Sequence, residues 1–151
     1  MGKKVIRHQD LEVYGKAMSA AMRVFEMSKA FPKDETYSLT DQIRRSSRSV
    51  CANIAEAWRK RRYEKSFVSK IVDTEGEAAE TQTWIEVAVR CGYLSHDEGR
   101  DLFLQYDDIL RTLFGMATHA DSWILNNGAR ESSDAPKKLA QEMVAYETLP
   151  F

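Results

Sequence analysis

The chain has 151 residues, 43% hydrophobic and 30% charged, with 7 Gly and 3 Pro; that is enough to bury one core and too rich in apolar side chains for a disordered polymer. Its formal charge of -1 argues against a uniformly basic nucleic-acid coat while leaving room for a local basic patch. Met1-Gly2-Lys3-Lys4 leads into no apolar signal core. No stretch approaches the roughly 18 apolar residues of a membrane span, and Cys51 and Cys91 form no C-x-x-C pair. A reducing cytoplasm is the expected setting.

Asp10 is a candidate N-cap for a first helix carrying Leu11, Tyr14, Met18, Ala21 and Phe25 at alternating steps of three and four. Phe31-Pro32 stops it, because proline cannot continue the hydrogen-bond ladder, and a loop through about Ser38 follows. Thr40 is the candidate cap of a second helix, in which Ile43, Ser47, Val50, Ile54 and Ala57 repeat the spacing and Trp58 widens the apolar face. A third helix starts near Tyr63 to Ser66 and runs through Phe67, Ile71, Thr74, Ala78, Thr81, Ile85 and Ala88 to Gly92, a left-handed C′ residue. No Gly or Pro separates the second helix from the third.

Ser95-His96-Asp97-Glu98 is a capping box, with the serine oxygen and Glu98 each satisfying an orphan amide of the other's segment. Behind it Leu102, Tyr106, Ile109, Leu113, Met116, Ala120 and Trp123 keep the seam until Asn126-Asn127-Gly128 turns the chain. Four amphipathic helices with short connections predict an all-α, antiparallel up-down-up-down four-helix bundle over residues 1–128. Residues 129–151 are an appendage, in which Ser133, Pro136, Leu139, Met143 and Tyr146 suit a short helix.

The chemistry of sites finds little to use. His8, His96 and His119 have no glutamate three residues before them, so the Glu-x-x-His pairs of a di-metal bundle core are missing, and Glu75, Glu77, Glu80 and Glu86 read as a solvated face. Cys51 lies among small helical residues with no histidine near it in sequence, and the glycines form no phosphate-cradling loop. The expectation is no catalytic, metal or cofactor site, no small-molecule substrate and no membrane.

The sharpest polar feature is Arg44, Arg45 and Arg48 followed by Arg59-Lys60-Arg61-Arg62. At about 100° per residue, Arg44, Arg48 and Arg59 fall within roughly 60° of each other, beside the apolar seam of the second helix. Two readings stand together. The guanidinium groups suit phosphate, with Tyr63 or Trp58 stacking on an unpaired base. They equally suit Asp73, Glu77 and Glu80, an acidic stripe at i, i+4 and i+7 on the third helix, met within one subunit or across an oligomer interface. Gln42, Ser49, Asn53 and Glu56 share a further face of the second helix, which could knit it to a neighbour by hydrogen bonds, with solvent exposure as the default. Trp84, Val72 and Phe103 exceed a single seam and point to self-association.

Leu39-Thr40-Asp41-Gln42-Ile43-Arg44-Arg45-Ser46-Ser47 and Ser49-Val50-Cys51-Ala52-Asn53-Ile54-Ala55-Glu56 resemble the four-helix-bundle proteins encoded in intervening sequences of bacterial 23S ribosomal RNA genes. The resemblance extends to Phe31-Pro32, to Glu77 through Glu80 and to Cys91-Gly92-Tyr93-Leu94-Ser95, although Cys51 stands where the family often has proline and Ala57 where it often has glycine. It implies a homo-oligomer, a ring-like pentamer, with no enzymatic activity. A related branch, the accessory proteins of diversity-generating retroelements, implies RNA or a nucleoprotein as partner.

Overall fold

The computed structural model describes residues 4–125, and four helices carry them: α1 (Glu12–Ser28), α2 (Leu39–Arg59), α3 (Glu64–Arg90) and α4 (His96–Thr118). The main packing pairs are α1 with α2, α2 with α3, α3 with α4 and α4 with α1, a closed square. Specific contacts fix the directions. Arg44 of α2 meets Ser28 at the end of α1, Ser46 and Glu56 of α2 meet Thr81 and Lys70 of α3, and Gln82 of α3 meets Asp107 of α4. Lys16 and Arg23 of α1 meet Asp108 and Gln105 of α4. Sequence number rises on one helix as it falls on the next, so every neighbouring pair is antiparallel.

The seams close on one core. Val24, Ile43, Val50, Ile54, Phe67, Ile71, Ile85, Leu102, Ile109 and Leu113 are all buried. Each such side chain contributes about 1.5–3 kcal/mol relative to exposure. Gly92 takes a φ of 77°, and the amides of Tyr93 and Leu94 return to the Ala88 carbonyl, closing α3. The Ser95 box forms in both directions, with Glu98 N to Ser95 Oγ and Ser95 N to Glu98 Oε2 each at 3.1 Å.

Three boundaries differ from the sequence reading. Asp10 does not cap α1; its carboxylate accepts from the amides of Ile6 and Arg7 and closes a 3₁₀ turn at His8–Asp10, leaving Leu11 as the cap residue. Thr40 lies inside α2 and is buried, while Glu35 accepts from the Leu39 amide at 2.9 Å and supplies the capping oxygen from the preceding loop. Helix α4 stops at Thr118, and Ala120–Ser122 form a 3₁₀ turn that keeps Ala120 buried. Asn126-Asn127-Gly128 and the 129–151 appendage lie outside the described residues.

The glycine-free break after α2 has a side-chain cause. Arg61 folds back, donating from Nε to the Trp58 carbonyl at 2.7 Å, with its guanidinium 3.2 Å from the Trp58 ring centroid. A carbonyl the helix would otherwise leave unpaired is thereby satisfied. Leu125 N donates to the Arg61 carbonyl at 2.9 Å, tying the chain beyond α4 to the same corner.

Candidate interaction surface

The inward residues of α2 occupy one arc of the helix, so the arginines are left for its outer side. Arg44, at the edge nearest α1, is half-buried: its Nε donates to Ser28 Oγ at 2.7 Å and its guanidinium lies 5.0 Å from the Phe25 ring. Arg48, one turn on, is exposed and 6.0 Å from the same ring. Arg45 pairs with Asp41 of its own helix at 3.0 Å, both side chains largely in solvent. These three line an open cleft of about 390 Å³ with Thr36, Thr40 and Asp41, and Tyr37, next in sequence to Thr36, is 95% exposed.

The other four basic residues separate. Arg59 and Lys60 line a shallow cleft with His8, Ala55 and Glu56 at the far end of the helix. Arg61 is withdrawn into the corner described above, where burial and the nearby Arg59 charge lower its pKa. Arg62 is exposed in the turn beyond α2. The seven are thus a surface of five, one structural arginine and one turn residue.

The acidic stripe of α3 does not meet them. Among the described residues, Arg44, Arg45, Arg48 and Arg59 make no ion pair with Asp73, Glu77 or Glu80. The intramolecular pairing weighed from sequence is corrected, because Arg44 and Arg48 lie near Phe25 of α1, Arg45 pairs within its own helix and Arg59 sits by His8, while the acids lie on the α3 flank of α2. There Lys70, unremarked in the sequence, is the cation: it pairs with Glu56 at 2.9 Å and approaches Asp73 at 3.8 Å. The hydrogen bond from Lys70 lowers the Glu56 pKa and raises that of Lys70.

Ser49 and Asn53 line this α2–α3 crevice and are half-buried, so the face read as solvent-exposed is partly a helix contact. Glu80 accepts from Trp84 Nε1 at 3.3 Å, and burial, followed by the neighbouring Glu80 and Asp73 charges, raises the Glu77 pKa. Asp73, Glu77 and Glu80 therefore repel one another, and among the described residues no arginine pairs with them. Of the three side chains expected to exceed the seam, Val72 is 50% exposed, Trp84 is half-buried and Phe103 is buried in the core.

Sequence reasoning also missed a polar layer inside the bundle. Ser46 and Thr81 share a hydrogen bond at 2.8 Å, and Gln82 Nε2 donates to Asp107 Oδ1 at 2.8 Å and to the Phe103 carbonyl at 3.2 Å. Burial raises the Asp107 pKa, with Gln82 and the Arg111 charge opposing it. Burial likewise raises Tyr106 and pushes the Cys51 thiol up to about 11, which keeps it protonated and unreactive near neutrality. The available signal was Gln82 itself, lying four residues after Ala78 and three before Ile85 on the seam.

Among the described residues no group of three or more His, Cys, Asp or Glu side chains is arranged to hold a metal ion, and no helix is long and apolar enough to cross a membrane. The fold and its surface define an all-α four-helix bundle whose distinctive chemistry is carried on outer helix faces. Residues 9–115 match the family described as 23S rRNA-intervening sequence protein, and the chain belongs to that family. A crystal structure of a protein of unknown function from the S23 ribosomal protein family of Bacteroides thetaiotaomicron is similar to it, with 25% identity, a TM-score of 0.64, and coverage of 70% of this chain and 97% of that one. No curated protein matches the chain.

Proposed function

We propose that this protein is a non-enzymatic, self-associating bundle that serves as a cytoplasmic scaffold or adaptor, with the arginine face of α2 as its main contact surface. The family resemblance supports a ring-like homo-oligomer, a pentamer. The observation that carries the reading is the separation of charge: exposed arginines on α2 and carboxylates on α3 lie on one molecule without neutralising one another. Charged faces left unmatched within a chain steer association and set its specificity. Sedimentation velocity at tens of micromolar protein tests this directly. A discrete oligomer that loosens as salt rises is the expected result, and a monomer at every concentration would overturn it.

One observation favours a second reading, contact with RNA or a nucleoprotein. The cleft of Arg44, Arg45 and Arg48 suits a phosphate, and Tyr37, next in sequence to the lining Thr36, is exposed and suits stacking on an unpaired base. A labelled single-stranded RNA should then bind with an affinity that falls steeply with salt. No binding at low salt, unchanged by Arg44, Arg48 and Arg59 charge reversal, would remove this reading.

A further inference from the structure

We infer that the outward face of α2 docks against the outward face of α3 on a second copy of this chain, head to tail; this names the partner face within the self-association proposed above and rests on it.

The two faces are built alike and charged oppositely. On α2, Arg48, Ala52 and Arg59 point outward and are exposed, with half-buried Ala55 beside them. On α3, Val72, Asp73, Gly76, Ala79 and Thr83 are exposed in the same manner, with Glu80 at their edge. Each is a stripe of small side chains bracketed by charge, basic on one helix and acidic on the other. Small residues let two helices approach closely, and at Gly76 the space beyond the backbone is open. Glu56 shares the basic face, but Lys70 neutralises it from within the chain.

Register strengthens the match. Within one chain Ser46 is level with Thr81, Ser49 with Glu77 and Glu56 with Lys70, which fixes how heights on α2 correspond to heights on α3. Copies related by rotation about an axis parallel to the helices keep every residue at its own height. Arg48 of one copy then falls level with Ala79 and Glu80 of the next, Ala52 with Gly76 and Ala55 with Val72, each to within about two residues or ~3 Å. Arg59 falls level with about residue 67, near exposed Lys65 and some six residues, or ~9 Å, from Asp73, so the charge match rests on Arg48. Without sliding, Arg48 comes level with Glu80, and the intermolecular helix pair is antiparallel like the intramolecular ones.

The same geometry makes the assembly finite. Adjacent helices of a square bundle present outward faces roughly 90° apart. A head-to-tail contact between such faces turns by about the supplement at each step, so a ring closes after about four copies, or five with a slight opening of that angle. A two-fold contact centred on the outward face of α2 would instead place α2 on α2 and arginine on arginine.

Cysteine trapping between two differently substituted chains tests the pairing. Ala52→Cys and Gly76→Cys are made on separate chains, each with Cys91→Ser to remove the exposed thiol. Both sites are solvent-exposed, and circular dichroism checks that each variant keeps its helices. After subunit mixing and mild oxidation, a disulfide-linked dimer is expected only in the mixture. Cross-linking of either variant alone to the same extent would establish that like faces meet, α2 on α2 or α3 on α3, and overturn the inference. A wild-type oligomer with no cross-link in the mixture would overturn these faces while leaving self-association standing, whereas a wild-type monomer removes self-association itself. Absence of the cross-link together with loss of single-stranded RNA binding in Arg48→Glu would assign the α2 face to nucleic acid.

Discussion

The outward faces of α2 and α3 run side by side on one bundle, yet their charges are answered in different ways. Acids near the α2–α3 crevice are partly answered inside the chain, with Lys70 meeting Glu56 and approaching Asp73, whereas Arg48 and Arg59 make no ion pair among the described residues. A net charge of -1 therefore hides two faces of opposite sign. Overall charge is a poor guide to what such a surface binds; the side of the helix on which each charge lands is what matters.

The comparison is sharpest against the buried side of the same helix. Ile54→Ala empties a fully buried position and should cost about 2–5 kcal/mol in chemical denaturation. Arg61→Ala removes the bond to the Trp58 carbonyl and the ring contact at the α2–α3 corner, and a loss of roughly 1–2 kcal/mol is expected in the same measurement. A negligible effect would show that the turn is set by something other than that arginine.

Asp107 supplies a pH test of the interior. Because burial raises its folded-state pKa, its ionisation opposes folding at neutral pH, and the opposition disappears as pH falls through that pKa toward the unfolded value. Asp107→Asn keeps an oxygen for Gln82 to bond while removing the charge. Its melting temperature should exceed the wild-type value by a few degrees at pH 7, with the gap closing in acid. An advantage that grew on acidification would contradict the sign. Arg45→Ala, which breaks only an exposed pair with Asp41, should shift stability by less than about 0.5 kcal/mol.

Much of this molecule is legible locally. The three-and-four spacing found all four helices, Gly92 and the Ser95 box marked two termini, and Phe31-Pro32 marked a third, because each signal depends on residues adjacent in sequence. Asp10 and Thr40 misled because the capping oxygen for α2 comes from Glu35 in the loop, and Asp10 serves the turn before α1. The spacing of Ala120 and Trp123 continued past the end of α4 because a 3₁₀ turn carries the chain on with Ala120 still buried. The arginines were found but their neighbours were not. Angular position around a helix says which residues share a face, while the bundle decides whether that face looks toward α1 or α3. Gln82 and Asp107 were missed for a related reason, since a polar residue on a seam acquires meaning only through the helix opposite.

The central claim is that Arg48 and Glu80, which make no ion pair among the described residues, meet between chains. Sedimentation velocity on the wild type, Arg48→Glu and the double variant Arg48→Glu with Glu80→Arg tests it most directly. The account predicts an oligomeric wild type, dissociation on the single reversal, and recovery of the oligomer when both charges are exchanged; an oligomer indifferent to the single reversal would contradict it.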